Sequence, residues 1–329
     1  MRVFWNQTFT HAAKVACAAL AIAGCPVHVH AAEFPTKPVT FVVPFGAGSA
    51  TDQLARALSV SMTAQTGQPV VVENRAGASG IIAAQHVARA APDGYTVLIT
   101  TNTTQAANPH FFKSLPYDPI KDFTPLTSLG RGGMVLVVSA NSPYKSVDQL
   151  VQAATRNPGK LSFGSGNSSS RMAAEMFRQL SRTDIVWVGY NSNPVALNDL
   201  LGGHIDMMVI DTVTGLPHIQ SGKLLALGAS TAARLPQLPD VPTLAEAGIK
   251  GYDIGYWFAA YLPAKAPPDI AQRLRDLLVS ATHSPQAQSF FSQSATQAWT
   301  STSQQLSTFQ SEQYETWGQV VKAAGIKPE

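Results

Sequence analysis

Short apolar runs alternate with segments of helical hydrophobic spacing along most of the chain. The runs predict strands at Val39–Val43, Val70–Glu73, Thr96–Thr100, Met134–Ser139, Leu161–Gly164, Ile185–Val188, Ile205–Ile210, Leu224–Ala229 and Trp257–Leu262. The segments between them predict helices at about 51–65, 80–91, 146–156, 169–181, 194–201 and 212–221. This α/β alternation is typical of parallel sheets with helices on both faces, and so many strands fit two sheets better than one. From about Pro267 the pattern is helical, at 268–283, 285–295 and 302–323.

The first 32 residues have the pattern of a secretory leader. A weakly basic start precedes an apolar run at 15–25, and the small-x-small sequence Val29-His30-Ala31 follows. Such a run is too short to span a bilayer and fits a signal peptide. We therefore predict a signal peptide at 1–32, cleavage after Ala31 or Ala32, and a periplasmic location. Ile22-Ala23-Gly24-Cys25 also matches a lipoprotein cleavage box, so lipid anchoring at Cys25 is the alternative.

Composition and charge exclude several classes of function. Both cysteines, Cys17 and Cys25, lie in the leader, so the exported chain has neither a disulfide nor a thiolate metal site. The formal net charge of the whole chain is +3, and loss of Arg2 and Lys14 with the leader leaves 21 basic and 20 acidic side chains. A chain with this nearly neutral charge is not expected to bind nucleic acid. The remaining chain is long enough for two lobes with separate cores.

A glycine-containing loop, Gly46-Ala47-Gly48-Ser49, connects the first predicted strand to a predicted helix. The glycines let the backbone turn sharply with no Cβ in the way, and Ser49 and Asp52 have capping-box spacing. A helix N-terminus leaves N–H groups unpaired and carries a partial positive charge, so the loop is a candidate anion site. Two alternatives are a turn without a ligand and a dinucleotide fingerprint, in which Thr51 stands where the third glycine belongs.

A second loop repeats this pattern more than a hundred residues later. Gly164-Ser165-Gly166-Asn167 follows a predicted strand and leads through a serine cluster into a helix with Met172, Met176, Phe177 and Leu180 at core spacing. Two helix starts this far apart do not belong to one βαβ unit. On two separate lobes they fit the walls of a cleft that closes on one small anion.

Catalytic and metal-binding motifs are missing from the sequence. No G-x-S-x-G or H-E-x-x-H is present, and the histidines beyond the leader (His86, His110, His204, His218 and His283) have no metal-ligand spacing. A serine nucleophile would need a base that the sequence does not place. We therefore expect no cofactor, no metal and no enzymatic activity, with a secreted hydrolase as a distant alternative.

Several stretches, taken in order, resemble one family. They are VVPFGAGSATDQLAR (42–56), VVVENRAGASGIIAA (70–84), PDGYTVLI (92–99), NPHFFKSLPYDPIKDFTPLTSLG (108–130), GYNSNPVALNDLLGGHIDMMV (189–209), SGKLLALG (221–228) and VPTLAEAG (241–248). Together they are similar to the Bug-type receptors, the periplasmic substrate-binding components of tripartite tricarboxylate transporters. The resemblance covers essentially the whole exported chain.

The resemblance implies a type 2 periplasmic binding protein fold with a ligand cleft between two α/β lobes. Lobe 1 would hold 33–133 plus 254–329, and lobe 2 would hold 134–253. The implied partners are a small carboxylate, with a dicarboxylate as one option, and the membrane subunits of a transporter. A receptor that feeds a signalling sensor is the alternative, and we expect a monomer in either case.

The same resemblance implies the residues of the ligand site. Carried over by position, they are Phe45, Gly48, Ser49, Thr51 and Asp52 in the first loop, Ser165, Gly166, Asn167, Ser168 and Ser169 in the second, and Thr101, Asn102, Thr103, Tyr190 and Asp211 after other strands. A carboxylate beside an anion repels it, so Asp52 is expected to orient its loop through backbone N–H groups. Arg171 stands where the family commonly has histidine. It either turns into the cleft to pair with a second carboxylate or turns outward into solvent.

Overall fold

The computed structural model describes residues 34–323 and 325–328. The predicted signal peptide and the alternative lipid anchor at Cys25 therefore lie outside the described residues. All described helices and strands belong to the unit Lys37–Glu329. None of these helices combines the length and the hydropathy needed to cross a membrane.

Ten strands are present in the described residues: β1 (Val39–Val43), β2 (Val70–Asn74), β3 (Thr96–Thr101), β4 (Phe123–Ser139), β5 (Ser162–Ser165), β6 (Val186–Gly189), β7 (Met208–Asp211), β8 (Leu224–Ala229), β9 (Gly255–Pro263) and β10 (Thr296–Ala298). The α-helices of the same residues are α1 (Ala50–Thr66), α2 (Ile81–Ala88), α3 (Asn108–Phe111), α4 (Val147–Arg156), α5 (Ser168–Leu180), α6 (Asn193–Leu201), α7 (Thr212–Gln220), α8 (Pro268–Thr282), α9 (Pro285–Gln293) and α10 (Ser303–Ala323). A 3₁₀ turn at Ala78–Gly80 precedes α2, and a π-helical segment at Thr103–Ala107 precedes α3.

The strands form a mixed main sheet and a small parallel pair. The main sheet has the order β10-β4-β9-β3-β1-β2, with β7 and β8 on another part of β4. Strand β1 is parallel to β2 and β3, and β5 is parallel to β6, as the α/β pattern predicts. Strands β9 and β10 run antiparallel to their neighbours. Because β1 and β3 are parallel, the loops that follow them lie at the same edge of the sheet.

Strand β4 changes partners along its length. Its residues up to Gly133 pair with β9, and from Met134 on it pairs with β7 and β8. The sequence predicts only the second part, because Pro125, Gly130 and Gly132 interrupt the apolar pattern of the first. The change of partners coincides with the predicted boundary between lobes at residues 133 and 134, and the division into lobes stays a prediction.

Two apolar clusters anchor the helices that carry the loops. One packs β1, β3 and β9 against α2 and α10 through residues such as Val42, Leu98 and Trp317. The other packs β4 and β7 against α6 through residues such as Val137, Leu197 and Ile210. Buried packing of this kind holds helix ends in place, so the loops at the strand ends have fixed positions.

Candidate ligand-binding site

The loop between β1 and α1 is fixed by Asp52. The Asp52 carboxylate accepts a hydrogen bond from the backbone N of Gly48 (2.9 Å), and Ser49 Oγ accepts one from the backbone N of Asp52 (3.3 Å). Gly48 has a φ of +79°, a conformation that favours glycine. Asn74 Nδ2 donates to both Asp52 Oδ1 (3.0 Å) and the carbonyl of Phe45 (2.9 Å). Asp52 thus has the loop-orienting role that its position suggests.

The charge of Asp52 is stabilised within this network. Burial alone would raise the pKa of Asp52, but hydrogen bonds from Arg56, Gly48 and Asn74 outweigh it and lower the pKa below its usual value. The Arg56 guanidinium lies 3.0 Å from the carboxylate, which is only 3% exposed. Asp52 is therefore ionised, and its carboxylate oxygens accept hydrogen bonds from groups of the protein.

The N-terminus of α5 lies close to the N-terminus of α6. Asn167 caps α5, with its side-chain oxygen accepting from the backbone N of Ser170 (2.8 Å). The backbone N of Gly166 donates to Asn193 Oδ1 (3.0 Å). A Cβ at Gly166 would lie 1.9 Å from the carbonyl carbon of Ser192, so only glycine allows this approach. The N–H groups of Gly48 and Gly166 are thus used within the protein.

The first turn of α5 contacts the segment that follows β3. The hydroxyl oxygens of Thr103 and Ser169 lie 2.7 Å apart, and Ser168 Oγ donates to Asn108 Oδ1 (2.7 Å). Thr103 opens the π-helical segment, a type of distortion found frequently at functional sites. These contacts bring the tip of α5 to the edge of the main sheet where β1 and β3 end.

A cavity of about 30 Å³ lies between these segments. This volume admits about two water-sized atoms. Its wall combines the α1 tip, the end of β3, the α5 tip and apolar side chains of β4 and β9. The lining residues are Phe45, Ser49, Ala50, Thr51, Thr101, Asn102, Thr103, Met134, Asn167, Ser169, Asn193, Asp211, Tyr256 and Phe258.

Hydrogen-bond donors at the two helix tips are left unpaired. Among the described residues, the backbone N–H groups of Ala50, Thr51 and Ser169 have no acceptor. Asn102 is fully buried, and neither atom of its amide has a partner in the described part of the chain. Unpaired N–H groups are expected in the first turn of a helix, whereas an unpaired buried amide is rare, and together they can donate to an acceptor supplied by a ligand. A carboxylate supplies several acceptor sites at once.

The cavity holds little charge of its own. None of its lining residues is a lysine, arginine or histidine, and Asp211 is the one carboxylate among them. Asp211 Oδ1 accepts from the backbone N of Thr214 (2.8 Å) and Oδ2 accepts from Asn193 Nδ2 (2.9 Å), so its charge is offset at the N-terminus of α7. Burial, with a smaller effect of Asp211, raises the pKa of Tyr256, which keeps its hydroxyl protonated. An anion here is held by neutral donors and helix ends.

Nine of the sixteen predicted site residues line the cavity: Phe45, Ser49, Thr51, Thr101, Asn102, Thr103, Asn167, Ser169 and Asp211. Gly48, Asp52, Gly166 and Ser168 lie in the supporting networks described above and do not line it. Two others have partners elsewhere. Ser165 Oγ accepts from Trp187 Nε1 (2.8 Å), and the Tyr190 hydroxyl donates to Asp199 Oδ2 (2.7 Å).

Arg171 is half-buried and is not among the residues that line this cavity. Its guanidinium carbon lies 3.5 Å from the ring centroid of Trp187 and 5.3 Å from that of Phe111. A planar cation stacks well on an indole face, and this contact holds the side chain away from the cavity. A contact between Arg171 and the ligand stays a prediction, and in this structure the guanidinium stacks on Trp187.

Five lining residues escaped the sequence prediction: Ala50, Met134, Asn193, Tyr256 and Phe258. Met134, Tyr256 and Phe258 belong to strands and have the apolar pattern of core residues. Asn193 lies in the polar stretch Tyr190-Asn191-Ser192-Asn193, directly after β6, and its position at a strand end is a signal that could have identified it. Within the described residues, no group of three or more histidine, cysteine or acidic side chains is arranged to hold a metal ion.

Comparison with known proteins gives a consistent match. The model of the tripartite tricarboxylate transporter family receptor matches residues 54–326. A protein of Pseudomonas sp. strain P51, the UPF0065 protein in the tcbD-tcbE intergenic region, is 37% identical over 255 residues, covering 77% of this chain and 76% of that protein.

Solved structures of other proteins have a fold similar to that of this chain. The periplasmic binding protein BugD has a TM-score of 0.86 at 30% identity, over 90% of this chain and 100% of that one. Rpa4515 of R. palustris, whose structure contains adipate, has a TM-score of 0.87 at 31% identity over 90% and 100% of the two chains. The fold is therefore that of the type 2 periplasmic binding proteins.

Proposed function

The chain belongs to the receptors of the tripartite tricarboxylate transporter family, and we propose from this premise that it is a periplasmic receptor that binds a small carboxylate. The ligand carboxylate would lie between the tips of α1 and α5, in the cavity between them. The single observation that carries this proposal is the convergence of two helix N-termini with unpaired N–H groups on that cavity.

The chemistry of the wall favours a carboxylate over a neutral solute. Unpaired N–H donors from two helices meet the amide of Asn102, and the helix dipoles add partial positive charge. A hydrogen bond to a charged group contributes about 1.5–3 kcal/mol, so a few of them give substantial affinity without a lysine or arginine. The adipate in the related R. palustris structure supports the same ligand class.

The body of the ligand needs more room than the described cavity provides. Space for about two water-sized atoms matches the two oxygens of one carboxylate and little more. We therefore propose that the predicted lobes separate to admit the ligand and close around it, with β4 and β9 as the connecting strands. The apolar residues Met134, Tyr256 and Phe258 would then contact its carbon skeleton.

The proposed cellular role follows from family membership. The receptor would reach the periplasm through a signal peptide at residues 1–32 and deliver its ligand to the membrane subunits of a tripartite transporter. It would act as a monomer and a binding protein, without catalysis. The family and its structural neighbours, which are solute-binding proteins, support this role.

A thermal-shift series with matched neutral compounds tests the proposal. The purified protein is heated with acetate, succinate, adipate and citrate, and in parallel with succinamide and adipamide. At least one carboxylate should raise the melting temperature in a saturable way, while its amide does not. At 100 times its Kd, such a ligand adds about 2.7 kcal/mol to the free energy of unfolding. Equal stabilisation by an acid and its amide, or none by any acid of the series, would contradict the proposal.

A further inference from the structure

A second cavity lies beside the connecting strands and is much larger than the first. Its volume is about 430 Å³, within the usual range for small-molecule sites. Gly132 and Gly133 of β4 and Gly255 and Trp257 of β9 form its floor. The two cavities meet at Tyr256, which lines both. We name it the strand-side cavity.

The walls of the strand-side cavity come from two distant parts of the chain. One wall is the segment 231–237 after β8, including Arg234, Leu235 and Pro236. The other is formed by β10 and the residues that follow it, including Trp299 and Phe309. A molecule bound there would touch both walls and the strands between them.

Aromatic side chains give this cavity an apolar face. The ring centroids of Trp299 and Phe309 are 4.7 Å apart, and those of Trp257 and Phe309 are 5.5 Å apart, each pair edge to face. Trp299 and Phe309 are half-buried, so part of each ring faces open space. Such a wall fits a planar apolar group of about the size of a phenyl ring.

The charge at the rim is positive and partly uncompensated. The Arg131 guanidinium lies 5.5 Å from the ring centroid of Trp299 and has no carboxylate partner among the described residues. Arg234 is paired with Glu246 at 2.8 Å. No aspartate or glutamate lines the cavity in the described part of the chain. Trp257 is only 3% exposed, and its indole N–H has no acceptor among these residues.

We propose that the strand-side cavity is a second ligand site, for an aromatic monocarboxylate. The ring packs against Trp299 and Phe309, and the carboxylate pairs with Arg131, whose planar guanidinium suits two parallel hydrogen bonds. This site differs from the proposed site between α1 and α5 in its chemistry. Arginine side chains line the strand-side cavity, and no arginine lines the other cavity.

Isothermal titration calorimetry of the purified protein with phenylacetate, 3-phenylpropionate and indole-3-acetate tests this site. At least one of the three should bind to a single saturable site, and its amide should bind at least tenfold more weakly. R131Q should weaken binding at least tenfold. A233W, which places a large ring in the cavity from its exposed rim, should block binding while leaving Arg131 in place.

Matched variants assign the binding to this cavity. R89Q removes an exposed arginine outside both cavities, and S169A alters only the cavity between α1 and α5, so each should change the affinity less than twofold. Circular dichroism checks that R131Q and A233W are folded. No saturable binding by any of the three acids, loss of binding in S169A, or full binding in both R131Q and A233W would overturn the proposal. None of these outcomes affects the test of the α1–α5 cavity, which uses aliphatic acids.

Discussion

The side-chain oxygens of Thr103 and Ser169 lie 2.7 Å apart, although 66 residues separate them in sequence. Thr103 follows β3, and Ser169 belongs to the first turn of α5. Both residues line the cavity between the helix tips. This hydrogen bond therefore joins the two walls of the proposed carboxylate site directly, and it makes Ser169 the natural first target for mutation.

Replacement of Ser169 by alanine should weaken binding of the carboxylate. S169A removes the hydrogen bond to Thr103 and one hydroxyl donor from the cavity wall. Loss of one hydrogen bond to a charged group should raise Kd about tenfold. Isothermal titration calorimetry with the tightest acid of the thermal-shift series measures this. S289A, at an exposed serine of α9, is the control and should leave Kd unchanged. The same Kd in S169A and the unmodified protein would show that the Ser169 hydroxyl makes no contact with the ligand.

Two glycines that face Ser192 should differ sharply in their tolerance of alanine. In G166A the new Cβ would lie 1.9 Å from the Ser192 carbonyl carbon, and backbone there cannot move away cheaply. In G46A the nearest atom is the Ser192 hydroxyl oxygen at 3.2 Å, which can rotate. We expect G166A to lower the free energy of unfolding by about 1–3 kcal/mol and G46A by less than about 1 kcal/mol. Urea denaturation measures both, and equal losses would argue against the close approach of α5 and α6.

Replacement of Arg171 by lysine should affect all carboxylates alike. Lysine keeps the positive charge and loses the planar group stacked on Trp187, a contact of about 0.5–2 kcal/mol. Because the guanidinium lies outside the cavity, R171K should change the Kd of a dicarboxylate and of its monocarboxylate analogue by the same factor. Calorimetry with adipate and hexanoate gives that comparison. A selective loss for the dicarboxylate would instead place Arg171 on the second carboxylate.

The stability contributed by Asp52 should depend on pH in one direction. Its pKa is lower in the folded than in the unfolded protein, so its contribution is fully present above about pH 3.8 and is lost as the pH falls through the folded pKa. D52N should therefore lower the free energy of unfolding by about 1.5–3 kcal/mol at pH 7, and by less at pH 3.

Urea denaturation at the two pH values measures the effect of Asp52. D240N, at an exposed acid without a hydrogen-bond partner among the described residues, serves as the control and should change stability by less than about 0.5 kcal/mol. A difference between D52N and the unmodified protein that stays constant from pH 7 to pH 3 would mean that the ionised form of Asp52 does not stabilise the fold.

Much of the fold was accessible from hydrophobic periodicity. β1 and β8 have the bounds that the sequence predicts, and most helices begin and end within two residues of the prediction. Besides the short helix α3, the sequence prediction missed three features for local reasons. The first part of β4 contains proline and glycines, β10 has only three residues, and the π-helical segment Thr103–Ala107 has no periodicity of its own.

The candidate site was predictable where residues follow strand ends and less so elsewhere. Ser49 and Ser169 lie next to glycines at helix starts, a local signal that points to the cavity. The directions of Arg171 and Tyr190 depend on Trp187 and Asp199, and sequence alone does not place such partners. Tyr256 and Phe258 look like core residues because they alternate along a buried strand, yet they also face the cavity.

A crystal structure of the protein with the tightest carboxylate of the thermal-shift series tests the central claim most directly. One carboxylate of the ligand should lie within about 3.2 Å of backbone nitrogens at both helix tips, Ala50 or Thr51 on α1 and Ser169 on α5. A carboxylate bound instead to Arg171, or a ligand located only in the strand-side cavity, would contradict the account.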